Sequence, residues 1–463
     1  MRRLIYIFII GLLLCSYTWA DGSRYASKSL LSEGKWVKIR VDKTGIYKLS
    51  YADLKNMGFS DPSKVSVHGY GGWPLDEDFS KEYIDDVPST PVWRGSDYLL
   101  FYGKGPVKWE YDSSSQTFVH TNNPYSLYGY YFVTDATPTN DMTSVAQASG
   151  ATNRITTYDD YLVHEQELVS LAKSGRELYG EDFSGATPRT LSTFSSIPGI
   201  TNEDAKVTMS FVSKVTSGTG VASLSINQSN VLDVSIRSNR EEYVKALEGV
   251  STAVWKGEKS EKNSVVVSYN SASHNNVRLN YVRLHFKRTL QPYGAYTFFR
   301  SIASIGNVSR FVVQGANANT LVFDVTDAQR VRLMETELNG SELTFSIPAG
   351  TLREFVLVRT DQSFISPEVV GEVENQNLHA LEQKDMIIIA AKAFQTQAER
   401  LAEEHRATDG LTVEVVDPQS IYNEFSSGAP DATAYRRFMK MFYDRSVSAG
   451  NAPKYLLLFG DGI

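Results

Sequence analysis

Val37, Ile39 and Val41 alternate with Lys38 and Arg40, the period-two pattern of a strand with one buried face. Residues 42–45 (DKTG) supply a turn, and residues 46–49 (IYKL) read as the partner strand of a predicted hairpin. Residues 51–57 (YADLKNM) switch to a short helix closed by Gly58. Further strands are predicted at 65–68, 98–102 and 129–133, so residues 25–150 are expected to form an N-terminal β domain with one small helix. Residues 144–157, rich in Ser, Thr, Ala and Gly, predict a connection, and residues 165–178 predict a helical patch.

Strand patterns return at 205–214, 220–226, 230–236, 263–269 and 277–287, with turns between them. That spacing predicts a β-sandwich domain over 158–290. A third β segment, 291–370, is expected to carry strands at 311–314, 321–325, 342–347 and 354–359. Two sandwiches or one interleaved unit both fit these patterns. Pro367 and the polar run 372–377 predict a linker, placed at 371–384.

The period then changes. Residues 386–391 (MIIIAA) form an unbroken apolar run, which suits a parallel strand buried on both faces. Phe394, Ala398, Leu401 and Ala402 follow at helical spacing, with Gly410 as the stop. Residues 411–416 (LTVEVV) predict a second strand. Asp431 can cap a second helix whose inner face is Tyr435, Phe438, Met439 and Phe442. Residues 455–459 (YLLLF) predict a third buried strand, followed by Gly460, Asp461 and Gly462. The fold class is therefore mainly β N-terminal domains of sandwich type, followed over 385–463 by an α/β segment with a parallel sheet. Open sheets of that kind bind ligands beyond the carboxyl ends of their strands.

Composition adds an address. Arg2 and Arg3, the apolar run 4–14 and Thr18-Trp19-Ala20 make residues 1–20 a signal peptide cleaved before Asp21. Leu14 stands where a lipoprotein signal would place a small residue before Cys15. No other run is long and apolar enough to span a membrane. Losing Arg2 and Arg3 from 46 Lys+Arg leaves 44 against 53 Asp+Glu, a net of −9 without a basic tract, so nucleic acid is not an expected partner. Cys15 is the only cysteine and leaves with the signal peptide, so the mature sequence offers no thiol, disulfide or cysteine-based zinc site.

Candidate chemistry is sparse. His68, His120, His164, His274, His285, His379 and His405 show no metal-ligand spacing and read as structural or surface residues. Asp76, Glu77, Asp78, Glu82, Asp85 and Asp86 cluster without a calcium-loop pattern and read as a solvated loop. Tyr125, Tyr128, Tyr130, Tyr131 and Phe132 could stack on a glycan, but read as core. No G-x-S-x-G, G-x-G-x-x-G or P-loop occurs.

Several stretches resemble one family. Residues 35–57 (KWVKIRVDKTGIYKLSYADLKNM), 66–78 (SVHGYGGWPLDED), 122–134 (NNPYSLYGYYFVT) and 174–183 (SGRELYGEDF) match its N-terminal region. Residues 374–381 (ENQNLHAL), 421–431 (IYNEFSSGAPD), 438–445 (FMKMFYDR) and 453–462 (PKYLLLFGDG) match the join to its catalytic domain and that domain's start. The sequence thus resembles the PorU-type sortases of the type IX secretion system, relatives of the gingipain cysteine peptidases. The later motifs are shared with gingipain-like peptidases generally; the earlier ones point to the sortases.

That resemblance implies a caspase-like α/β peptidase domain with a Cys–His dyad behind a long β region. It implies removal of the C-terminal sorting domain from exported cargo and transfer of the new end to lipopolysaccharide. The implied partners are cargo sorting domains and outer-membrane proteins of the attachment complex. The implied location is the outer-membrane surface or the periplasm. In this fold the dyad lies on loops after later strands, whereas this sequence stops after the third. No catalytic, cofactor-binding or metal residue is therefore carried over, and no cofactor is expected. The expectation is the N-terminal portion of such an enzyme, with a truncated α/β domain that is inactive alone. Its rival is a non-catalytic, β-rich surface interaction protein.

A nucleotide-binding domain would rest on the strand–helix alternation alone. ATP and NAD are expected to leave the melting temperature unchanged in a thermal-shift assay, because a native-state ligand must raise it.

Overall fold

The computed structural model describes residues 24–171, 176–240, 246–446 and 451–460. The signal peptide, Cys15, Asp461 and Gly462 lie outside them. Among the described residues, no helix is long and apolar enough to cross a membrane.

Strand Trp36–Val41 forms as predicted, but the hairpin does not. The strand pairs antiparallel with Gly129–Thr134 on one side and Glu368–Val373 on the other. Gly45–Ser50 instead pairs with Tyr98–Gly103, in a separate three-stranded sheet. The physical reason is burial. The Lys38 and Arg40 face was expected to be solvated, yet Lys38 is only 6% exposed. A strand covered on both faces is placed inside a sheet, here as the second of five strands, rather than at a hairpin edge. Val37, Ile39, Leu49, Phe101 and Val133 fill the core between the two sheets. Helix Tyr51–Asn56 follows the prediction: Ser50 caps it by accepting from the Asp53 amide, and Gly58 ends it at φ +92°.

The middle of the chain forms two sandwiches that share one nine-stranded sheet. One half of that sheet contains Thr157–Glu165, Val277–Thr289, Ala205–Ser213 and Leu247–Trp255. The other half contains Tyr296–Arg300, Glu354–Arg359, Thr320–Asp324 and Arg332–Met334, edged by Ser144–Val145. The halves meet where Thr157–Glu165 pairs with Tyr296–Arg300 through Asp159 and Arg300. A four-stranded sheet covers each half. Phe183, Phe211 and Leu284 belong to the first core. Phe299, Phe311, Phe345 and Phe355 form the second, their ring centroids 5.0–6.1 Å apart.

Three expectations fail in this region. The predicted connection 144–157 carries strands Ser144–Val145 and Asn153–Ile155, which pair in parallel with distant segments. No helix occurs among the described residues of 165–178; Val169 bridges Tyr179 instead. Leu247–Trp255 went unpredicted because its residues are small, polar or half-exposed, which hides the alternation.

The predicted linker starts inside strand Glu368–Val373, which returns the chain to the first sheet beside Trp36–Val41. The α/β segment follows. Its parallel sheet has the order Val413–Val416, Met386–Ala390, Tyr455–Phe459. Helix Gln395–Thr408 buries Ala398 and Ala402 against one face. Helices Pro418–Phe425 and Ala432–Arg445 bury Ile421, Phe425, Phe438 and Phe442 against the other. Asp431 caps the second of these as predicted, accepting from the Thr433 amide. The strand Tyr455–Phe459 was expected to be buried, but Tyr455 is 54% and Leu458 60% exposed. Among the described residues it is the edge of its sheet, and apolar character alone does not supply a covering neighbour.

Phe345→Ala should remove about 3–5 kcal/mol from unfolding in urea, because it empties the centre of a stacked aromatic cluster. A loss below about 1 kcal/mol would mean that the core collapses around the gap.

Candidate functional site

Two places on the α/β segment invite attention. The first is the carboxyl edge of its sheet, formed by the ends of Met386–Ala390 and Tyr455–Phe459. Phe394, 47% exposed, meets Phe459 edge-on there at 6.3 Å. No histidine or thiol stands at this edge among the described residues. His405 lies near the end of helix Gln395–Thr408, where the chain turns back toward the amino edge, and it bonds Asp409 at 2.7 Å. His379 precedes the first strand and is also on the amino side.

The second place is the joint between this segment and the β region, built around His379. Its imidazole is fully buried and stacks on Phe425, with centroids 4.8 Å apart and planes 3° from parallel. Nδ1 lies 2.5 Å from Glu424 Oε2, and Nε2 lies 3.0 Å from Asp85 Oδ1. Both nitrogens face carboxylates, so each donates only if the ring is an imidazolium. Burial pushes the His379 pKa down, but the hydrogen bonds and charges of Asp85 and Glu424 outweigh it and raise the pKa to about 9.

The carboxylates are themselves held. Glu424 accepts from the Leu378 and His379 amides at 2.8 and 3.1 Å and from Gln376 Nε2 at 2.9 Å. Asp85 accepts from the Ala26 amide at 2.8 Å. Neighbouring Asp86 accepts from Ser29 Oγ and the Leu30 amide at 2.8 and 2.7 Å. Burial raises the Asp86 pKa to about 6 against the pull of those donors. Arg445 donates to the carbonyls of His379 and Ala26, both at 2.7 Å. Four stretches of chain, around residues 25–30, 85–86, 376–379 and 424–445, thus converge on one imidazolium.

A parallel contact lies alongside. Lys38 donates to the Gly428 carbonyl at 2.6 Å and sits 4.4 Å over the Tyr130 ring. Burial lowers its pKa to about 7. Ser427, held at φ +53°, donates to the Tyr130 carbonyl and accepts from the Tyr70 amide, both at 2.9 Å. A Cβ on Gly428, at φ +85°, would come within 2.7 Å of the Lys38 side chain, so glycine is required there.

Asp86, His379 and Glu424 each offer a ligand atom within 4.8 Å of the others. The donor set does not fit a cation, because its carboxylate oxygens and ring nitrogens already engage N–H or O–H partners or one another. It is a proton clamp.

The sequence-level candidates scatter. Of the acidic cluster, Asp76 pairs with Lys81, Glu77 pairs with Arg176, and Asp78 closes a turn on Ser80. Asp85 and Asp86 turn inward to the clamp rather than standing in a solvated loop. Among the aromatics expected in the core, Tyr131 and Phe132 are buried, but Tyr128 packs on the Arg40 guanidinium and Tyr125 is 36% exposed. The residues that sequence reasoning missed are Lys38 and Glu424. Glu424 falls three residues after Ile421 on the apolar face of its helix, and an acid in that position signals a buried partner.

The fold and its last segment define the class: residues 379–463 match peptidase family C25. The chain as a whole is PorU-like. It superposes on dimeric latent PorU from Porphyromonas gingivalis with a TM-score of 0.88 and 35% identity, over 95% of this chain. The chain spans 42% of the length of that PorU. A cycloalternan-forming enzyme from Listeria monocytogenes aligns over 55% of this chain and 18% of its own, with 10% identity and a TM-score of 0.19, a level that carries no structural likeness. No curated protein matches the sequence.

His379→Ala should cost about 3–5 kcal/mol by leaving Glu424 and Asp85 buried without their cation. Both His379 and Asp86 hold protons more tightly folded than unfolded. The His379 contribution is therefore complete below pH 6.5 and lost as pH rises through about 9. The Asp86 contribution is complete below pH 3.8 and lost through about 6. Urea unfolding of the parent should show the fall between pH 6.5 and 9, and His379→Ala should abolish it; an unchanged slope in the variant would refute the clamp.

Proposed function

We propose that this chain works as the N-terminal portion of a cell-surface cysteine peptidase of the sortase type. The superposition on PorU over 95% of the chain carries the reading. The C25 match at 379–463 supports its peptidase half. On this reading, the enzyme removes the C-terminal sorting domain from type IX secretion cargo and transfers the cargo to lipopolysaccharide. The signal-peptide pattern at 1–20 supports export, and the outer-membrane surface is the proposed location.

Residues 21–463 contain no cysteine, so on this reading the nucleophile is not among them. Its place is the carboxyl edge of the parallel sheet, where open α/β sheets gather catalytic loops. A thiolate suits the reaction because it attacks the scissile carbonyl and leaves an acyl-enzyme that an amine or water can resolve. The β region holds the sheet in place through the His379 clamp and the Lys38–Gly428 contact.

An immunoblot of the native cell against residues 25–370 should show a polypeptide far above the 51.6 kDa of this chain. Thiol-dependent peptidase activity should follow that larger species and be missing from purified residues 21–463. A native band at the smaller mass, or thiol-dependent turnover by the purified piece, would overturn the proposal.

A further inference from the structure

A cleft of about 660 Å³ opens between the first β unit and the shared nine-stranded sheet, with no residue of the α/β segment in its lining. Its walls carry several aromatic rings. Trp73 and Tyr102 line it from the first unit, and Phe298 and Tyr161 from the sheet. Trp109, on hairpin strand Val107–Asp112, stacks on Tyr161 at 3.9 Å with the planes 17° apart. The Arg300 guanidinium lies 4.4 Å from the same Tyr161 ring, so the stack is fixed before any ligand arrives.

The polar groups are incomplete. Arg300 is 1% exposed and lines the cleft, yet its Nη2 has no hydrogen-bond partner. Its Nη1 donates to the Asp159 carbonyl at 3.2 Å. Nε lies 3.4 Å from Glu354 Oε1 without forming a hydrogen bond. Trp73 Nε1 is likewise buried and unpartnered, while Lys104 Nζ sits 4.7 Å over the Trp73 ring. Buried donors without partners are costly, and each calls for an acceptor. Asp160 and Glu354 line the same cleft; Asp160 already accepts from the Tyr161 amide and Arg288 Nη1, both at 2.9 Å, which leaves Glu354 as the carboxylate acceptor.

We propose that this cleft is a saccharide subsite, sized for a mono- or disaccharide. A pyranose presents a C–H face to an indole and hydroxyls that both accept and donate. Those hydroxyls match the free N–H groups of Arg300 and Trp73 together with the Glu354 carboxylate. A simple anion fits less well, because the Arg300 charge already faces Asp160 at 3.7 Å and Glu354 at 3.4 Å, and Lys108 pairs with Glu110 at 2.7 Å. A purely apolar ligand would leave both donors dry. The volume lies within the range of small-molecule sites. The inference does not rest on the peptidase reading, and it stands if this chain proves catalytically inert.

The test is saturation-transfer-difference NMR on the full chain, with methyl glucoside, methyl galactoside, methyl mannoside and N-acetylglucosamine as probes. At least one sugar should give a saturable signal. Trp109→Ala should weaken its binding about tenfold. Trp73→Phe, which keeps a ring and deletes the N–H, should weaken it less but measurably. Tyr443→Ala, 64% exposed on the α/β segment, should leave it unchanged. Circular dichroism melting checks that each variant folds; if Trp109→Ala does not, Trp73→Phe alone decides. No signal from any probe, or binding undiminished in the folded variants, would overturn the proposal and leave water as the partner of the two donors.

Discussion

Charge cannot be taken out of water without compensation, and that constraint organises the joint at His379. An imidazolium buried between Glu424 and Asp85 is tolerable only while both carboxylates and their own donors are in place. Those donors come from residues 26, 376, 378 and 379. Removing any one piece leaves another charge stranded, so the four segments are ordered together or not at all. Hydrophobic contact between the β region and the α/β segment would tolerate sliding. A network of short, directed bonds around one ring does not.

The chain path makes this joint possible. Glu368–Val373 comes back to the first sheet after two sandwiches and pairs directly with Trp36–Val41. That return places Asn375 within reach of the Leu31 and Gly34 carbonyls and Asn377 within reach of the Ser29 amide. The α/β segment therefore starts beside the N-terminal residues that hold it, although some 350 positions separate the partners. The sandwiches form a long excursion between the two halves of one anchoring sheet.

How much of this was legible in the sequence follows from range. Strands such as Glu342–Ile347 and Glu354–Arg359 were readable because alternation is a local property. The helix caps at Ser50 and Asp431 were readable for the same reason. The failures at the joint were non-local. Lys38 looked like the polar face of a half-buried strand, and only the end of helix Pro418–Phe425 and the turn after it, docked over it, make that face interior. The clamp lies further out of reach, since Asp85, His379 and Glu424 share no spacing. The resemblance to the sortases marked residues 374–381 and 421–431 as family stretches without revealing that they touch.

The α/β sheet shows why such anchoring matters. Parallel strands are stable when both faces are covered, and Met386–Ala390 satisfies this with every residue buried. Its neighbour Tyr455–Phe459 does not: Tyr455, Leu456 and Leu458 remain open beside Tyr443 and Phe79. The three strands among the described residues, one of them exposed, gain little rigidity from their own packing. On the proposed peptidase reading the carboxyl edge has to be held still, because reacting groups displaced by about 1 Å lose rate steeply. Among the described residues, directed contacts to the β region come from the His379 clamp and the Lys38–Gly428 contact, which tie the two inner helices to it. On this argument the β region is the template that orients the sheet edge, and not a passenger ahead of it.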